Sequence, residues 1–165
     1  MHSAILKRLA TQRLKQIDRQ LKTIDDALAA LRDSDPALKA RFDILVSIPG
    51  IGAATAFAML IEMPEIGTME NPQAASLAGL APMARDSGNW RGKRSIRAAR
   101  AGFRQAVYMP ALVATRFNPE LKAKYQAMIA AGKPAKVAIT AIMRKLVVLA
   151  NALLKAGRPC VLKAA

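Results

Sequence analysis

Residues 44–60 read ILVSIPGIGAATAFAML. Two apolar segments flank a short corner, Ile48-Pro49-Gly50-Ile51-Gly52. A proline and two glycines so close together do not belong in the interior of a helix or a strand, so they mark a turn. The segments on either side are rich in Ala, Leu and Met and predict helices over about residues 37–47 and 53–62. Gly50 and Gly52 let the backbone turn sharply and approach a ligand closely. The amides that open the second helix then point outward, where they can take a phosphate oxygen.

Towards the N-terminus, Leu14, Ile17, Leu21, Ile24, Leu28 and Leu31 alternate at spacings of three and four, an a/d heptad seam. Arg13, Lys15, Arg19, Lys22 and Asp25 occupy the other faces. The seam covers fewer than three heptads, short for an independent zipper. It reads either as a helix packed on its own domain or as an arm that pairs with another copy of the chain or folds back as a helical hairpin. Asp33-Ser34-Asp35-Pro36 ends it and starts the next helix. The organisation expected is a coiled-coil-like arm over 1–35 and a compact helical domain over 36–165.

Towards the C-terminus, residues 64–71 form a connector, and Asn71-Pro72 caps a short helix to about Leu80. Arg85 to Lys93 is polar and glycine-containing and reads as a loop. A helical pattern runs from about Ser95 to Phe117, with a kink expected before Pro110. Asn118-Pro119 opens a helix to about Ala131, stopped by Gly132-Lys133-Pro134. The last helix spans about residues 135–155, with Lys136, Thr140, Arg144, Asn151 and Lys155 along one polar face. The tail from Gly157 is expected to be loose. No stretch reads as a strand, so the predicted fold is all-α.

Composition narrows the partners. Hydrophobic residues make up 53% of the 165 and aromatics 4%, so the core is built from aliphatic helices. Net charge is +15. Residues 1–45 are net +3, residues 46–84 are net −3 without a Lys or Arg, and residues 85–165 are net +15. Such a balance favours a polyanionic partner. Cys160 and His2 each stand alone, which removes an internal disulfide, a thiolate or histidine metal site and a Ser-His-Asp triad. The apolar stretch near residues 137–154 is broken by Arg144 and Lys145 and reads as a buried helix, not a membrane span. A cytoplasmic protein with no membrane partner is expected.

The positive charge begins with RDSGNWRGKRSIRAARAGFR, residues 85–104. Ser87 lies among Arg85, Arg91, Lys93 and Arg94, and Arg97, Arg100 and Arg104 follow at a spacing that gives one helical face. A serine hydroxyl is a weak nucleophile without a base, and this chain has no usable histidine. In phosphoryl transfer the larger need is to neutralise phosphate oxygens, which planar guanidinium groups do bidentately. The cluster therefore suits attack by Ser87 on a phosphodiester. On residue types alone, however, the plainer reading comes first: a basic DNA- or RNA-binding surface with an incidental loop serine.

The run ILVSIPGIGAATAFAML resembles a helix-hairpin-helix, a sequence-independent binder of the DNA backbone; Gly50, Ile51 and Gly52 would supply its phosphate-facing amides, the only donors in a span without Lys or Arg, and the alternative is a helical corner that belongs to the core. A wider resemblance covers about residues 42–155. SIPGIGAATA, GLAPMARDSGNWRGKRSIRAARAGFRQAVYMPALVATRFNP and AGKPAKVAITAIMRKLVVLANALL together resemble the C-terminal serine domain of bacterial insertion-sequence transposases. That family joins it to an N-terminal DEDD, RuvC-like domain through a coiled-coil linker and is guided by a bridge RNA. The resemblance implies that Ser87, in its Asp-Ser-Gly context, is the nucleophile that becomes attached to DNA. It implies DNA and a guide RNA as partners and a homo-oligomer joined through the heptad helix. The divalent metal, such as Mg, would belong to the DEDD domain, so no cofactor is expected in this chain. Ala98-Ala99 stands where the family often has a Gly-Gly pair. The chain looks like the C-terminal half alone, a truncated gene, decayed element or fragment, expected to bind nucleic acid but not to complete strand exchange by itself. A non-catalytic binding module, or a regulator that assembles with full-length transposase, is the alternative.

Overall fold

The computed structural model describes residues 2–92, 94–96 and 100–161. Among them the regular secondary structure is helical apart from one minimal hairpin. The helices are α1 (His2–Ser34), α2 (Pro36–Val46), α3 (Ala53–Glu62), α4 (Asn71–Leu77), α5 (Ala101–Phe117), α6 (Pro119–Ala130) and α7 (Ala135–Ala156). Strands β1 (Asp86–Ser87) and β2 (Trp90–Arg91) pair antiparallel. The chain divides into two compact units, one ending at Ala40 and one beginning at Arg41.

The first unit is dominated by α1, which is longer at its N-terminus than the heptad pattern predicts. Most of its seam is exposed, at Leu14, Ile17, Leu21, Ile24 and Leu31, and Leu28 is half-buried. Exposed ion pairs such as Lys22–Asp26, four residues apart, lie on the other faces.

The second unit is built on α5 and α7, which pack together; α3 and α6 pack on α5, and α4 and α6 on α7. Phe103, Val107, Ala111 and Ala114 are buried on α5, and Ile142, Leu146, Val147 and Ala150 on α7. Their three- and four-residue spacings are what give each helix one apolar face. α7 has the length and apolarity to cross a membrane, yet nine of its residues are buried in this core. Pro110 is itself buried, inside a helix that is assigned without a break from Ala101 to Phe117.

The corner between α2 and α3 packs on α5. Gly50 has φ +104°, and a Cβ there would meet the Pro110 carbonyl oxygen at 2.9 Å and the Ala114 Cβ at 3.1 Å. Its close approach is thus to a neighbouring helix. Phe42 and Phe57 seal the corner with ring centroids 4.7 Å apart.

Five expectations are corrected. The segment read as a loop forms a hairpin, because Gly88, at φ +55°, opens a two-residue turn that matches the twist of paired strands. α5 starts at Ala101, not near Ser95, so Arg100 precedes the helix and shares no helical face with Arg104. Asn151 is fully buried rather than on a polar face. It accepts from the Gly67 amide and donates to the Met69 carbonyl and the Asn71 side chain, so Asn71 serves it rather than capping α4. The tail is tied as far as Cys160, whose amide donates to the Ser47 hydroxyl at 2.8 Å.

Candidate nucleic-acid interface and serine hairpin

The hairpin owes its geometry to four central residues. Ser87 pairs with Trp90 and Asp86 with Arg91, around Gly88-Asn89. The Gly92 amide donates to the Arg85 carbonyl and extends the ladder. Gly92 also makes room for the Trp90 ring, since a Cβ there would lie 2.4 Å from it. At its base Met83 and Ser95 form a bridge.

Opposed residues in an antiparallel pair share a face, and successive residues alternate. Arg85, Ser87 and Trp90 therefore lie on one face, and Asp86 and Arg91 on the other. Ser87 is exposed, as are Arg85, Arg91 and Arg94. Among the described residues its hydroxyl makes no hydrogen bond. Ser47 differs: it donates to the Ile44 carbonyl and accepts from Cys160. Trp90 is 58% exposed and flanks the serine, a neighbour that the charge-based reading did not single out.

The other predicted residues divide. Lys93 and Arg97 lie outside the described residues. Arg104 is half-buried on the first turns of α5. Arg100 turns inward: its guanidinium holds the Glu65 carboxylate with two bonds, at 2.6 and 2.9 Å, and donates to the Glu62 carbonyl. Those hydrogen bonds hold the Glu65 carboxyl well below its usual range, at about 2, and raise the Arg100 pKa in turn. Arg100 thus anchors the end of the serine segment to the connector between α3 and α4. The same connector receives Arg41, which donates to the carbonyls of Pro64 and Ile66, and Asn151 from α7. Nothing in the local sequence distinguishes an arginine that will bond inward from one left in solvent.

At the helical corner, the Ile51 amide donates to the Ile48 carbonyl and its side chain is buried, so Ile51 offers no free donor to a phosphate. Gly52 is exposed and opens α3 with no side-chain cap. The first-turn amides of α3 are therefore the donors left at this corner. Among the described residues no three of His, Cys, Asp and Glu come together as metal ligands. The residues present do not fit the divalent ion that the resemblance assigns to an acidic domain.

Residues 42–126, from α2 into α6, match the family described as the IS116/IS110/IS902 transposases. Every predicted site residue, from Gly50 to Arg104, lies within that span. The chain is also 29% identical over 162 residues to a pilin gene-inverting protein of Moraxella bovis, covering 95% of this chain and 50% of the relative. The pilin gene-inverting protein of Moraxella lacunata gives the same figures. An insertion element IS110 protein of Streptomyces coelicolor is 26% identical over 147 residues, 87% of this chain and 35% of the relative. The chain thus spans about half the length, or less, of the curated relatives it matches. With more than half of its residues in the matched span, the chain belongs to the IS116/IS110/IS902 transposase family.

Proposed function

We propose that this chain is the serine-bearing region of a DNA transposase, and that Ser87 attacks a DNA phosphodiester. In that step the Ser87 Oγ–P bond forms as the bond from phosphorus to one sugar oxygen breaks. The hydroxyl proton passes to water, and the sugar leaves as a free hydroxyl after protonation. The phosphoserine keeps the energy of the broken bond for rejoining to a second strand. Arg85, on the same hairpin face, and Arg94 neutralise the phosphate, with Arg91 holding the backbone from the other face. Lys93 and Arg97 are proposed to add to this field. Arg100 is a positioning residue rather than a phosphate ligand. The uncapped amides at Gly52 and the first turn of α3 take a neighbouring phosphate, as a helix-hairpin-helix does.

The observation that carries this reading is an exposed serine that makes no hydrogen bond among the described residues, flanked by the exposed guanidinium groups of Arg85, Arg91 and Arg94, within a span that matches a transposase family. A guide RNA, as the resemblance implies, and a second copy joined through the exposed α1 seam complete the proposed assembly. Among the described residues the partner opposite Ser87 is Trp90, which cannot accept the hydroxyl proton, and this favours one rival reading, a binding module that does no chemistry.

Denaturing gels of the protein incubated with end-labelled element DNA and a divalent metal test the proposal. A DNA-linked protein band that survives boiling in detergent and disappears in Ser87→Ala supports it. A band that persists in Ser87→Ala, or salt-sensitive binding without any band, supports the module.

A further inference from the structure

The geometry points to a site for unpaired bases of single-stranded DNA in the groove between α5 and α6. The groove has a volume of about 460 Å³, within the ~300–1,000 Å³ range of small-ligand clefts, and is walled by Met109, Val113, Phe117, Tyr125 and Gln126 with Arg116 at its rim. Phe117 is 70% exposed and Met109 60%, so two large apolar side chains of α5 stand in solvent along this groove, with the half-buried Tyr125 lining it from α6. Asn118 fixes the corner between the helices: it is buried and its side chain accepts from the Leu121 amide at 3.1 Å. The aromatic pair is therefore held on a rigid support.

Charge decides the occupant. From residue 101 onward the sequence has eleven Lys and Arg and one acid, Glu120. Glu120 lines a different cavity, with Arg158 and Cys160. Arg116 lines this groove, and Lys122, exposed, lies one turn before Tyr125 and Gln126 on α6. The α1 seam of a second copy is an alternative apolar occupant. Residues 2–34 carry seven basic and four acidic side chains, so that helix would meet Arg116 and Lys122 with like charge. Aromatic faces in a cationic groove are the arrangement that binds single strands, because every base has a π-face to stack and a phosphate to neutralise. This inference rests on the DNA reading above and adds a second surface, on which the strand released at Ser87 is held unpaired.

Fluorescence anisotropy with a labelled single-stranded oligonucleotide, its duplex and an RNA of the same sequence tests it on the full chain. Phe117→Ala with Tyr125→Ala should weaken single-stranded DNA binding about tenfold or more, and duplex binding less than about twofold. Phe117→Trp should keep both, and Arg116→Ala should lower the salt slope by about one. Photocrosslinks from bromodeoxyuridine should map to the α5–α6 peptide. Unchanged single-strand binding, equal loss on duplex and single strand, tighter RNA binding, crosslinks confined to Trp90, or loss of self-association in Phe117→Ala would each overturn the site. Phe117 is solvent-exposed, so its truncation leaves the core intact, and helicity and Tm check this. Failure of the covalent band with these effects intact would sink the nucleophile and spare the groove.

Discussion

Arg100 is a charge whose partner lies inside the protein. Its bidentate hold on Glu65 gives that carboxyl a folded-state pKa of about 2, below the ordinary value of 4.5. A depressed pKa contributes stability that is present above pH ~4.5 and is lost as pH falls towards 2. Thermal melts of the wild type should therefore lose Tm through that window, and Glu65→Gln should flatten the loss. An identical profile in the variant would show that the pair is not coupled to folding. Glu65→Gln should also lower the yield of DNA-linked protein more than it lowers DNA affinity, because the pair anchors the serine segment without touching DNA. At this scale the sequence was only partly legible. Ser87 and its cationic neighbours could be found from residue types, but the alternating sides of a hairpin, which separate Arg91 from Ser87, depend on a pairing register. The inward turn of Arg100 depends on a carboxylate 35 residues away.

Helices were the most legible elements, since a 3.6-residue apolar period over ten or more residues survives any tertiary arrangement. The corner at Pro49-Gly50 and the Asn118-Pro119 start of α6 follow from local chemistry in the same way. The hairpin did not, because two residues per strand carry no period; its signal lies in Gly88 and in the packing of Trp90 on Gly92. Gly92→Ala puts a Cβ 2.7 Å from the Arg85 carbonyl oxygen as well as into the Trp90 ring, so the hairpin must open. Trp90 is the only tryptophan, so its emission should shift to the red while far-UV helicity holds. Unchanged emission would mean that the ring does not rest there. The connector of residues 64–70 hid a second feature. Asn151→Leu leaves the Gly67 amide and the Met69 carbonyl without their partner and should destabilise the second unit by about 2–3 kcal/mol in denaturant melts. A change below about 0.5 kcal/mol would show that water replaces the side chain.

Over the whole molecule the charge is segregated as the sequence indicates: the acidic connector lies in the span without Lys or Arg, and the hairpin opens the half with +15. Binding to DNA should weaken steeply between 50 and 200 mM salt, and Ser87→Ala should leave that slope unchanged. The exposed seam of α1 predicts self-association, which Leu21→Asp should abolish in sedimentation; a wild type that stays monomeric at high concentration would remove that role from the arm. The central claim is that one hydroxyl becomes bonded to DNA phosphorus. Mass spectrometry of the protein after reaction with element DNA and exhaustive nuclease digestion measures it directly. The account predicts a nucleotide adduct on the peptide containing Ser87, at that residue. An adduct on any other side chain, or unmodified Ser87 in protein that has broken the DNA, would contradict it.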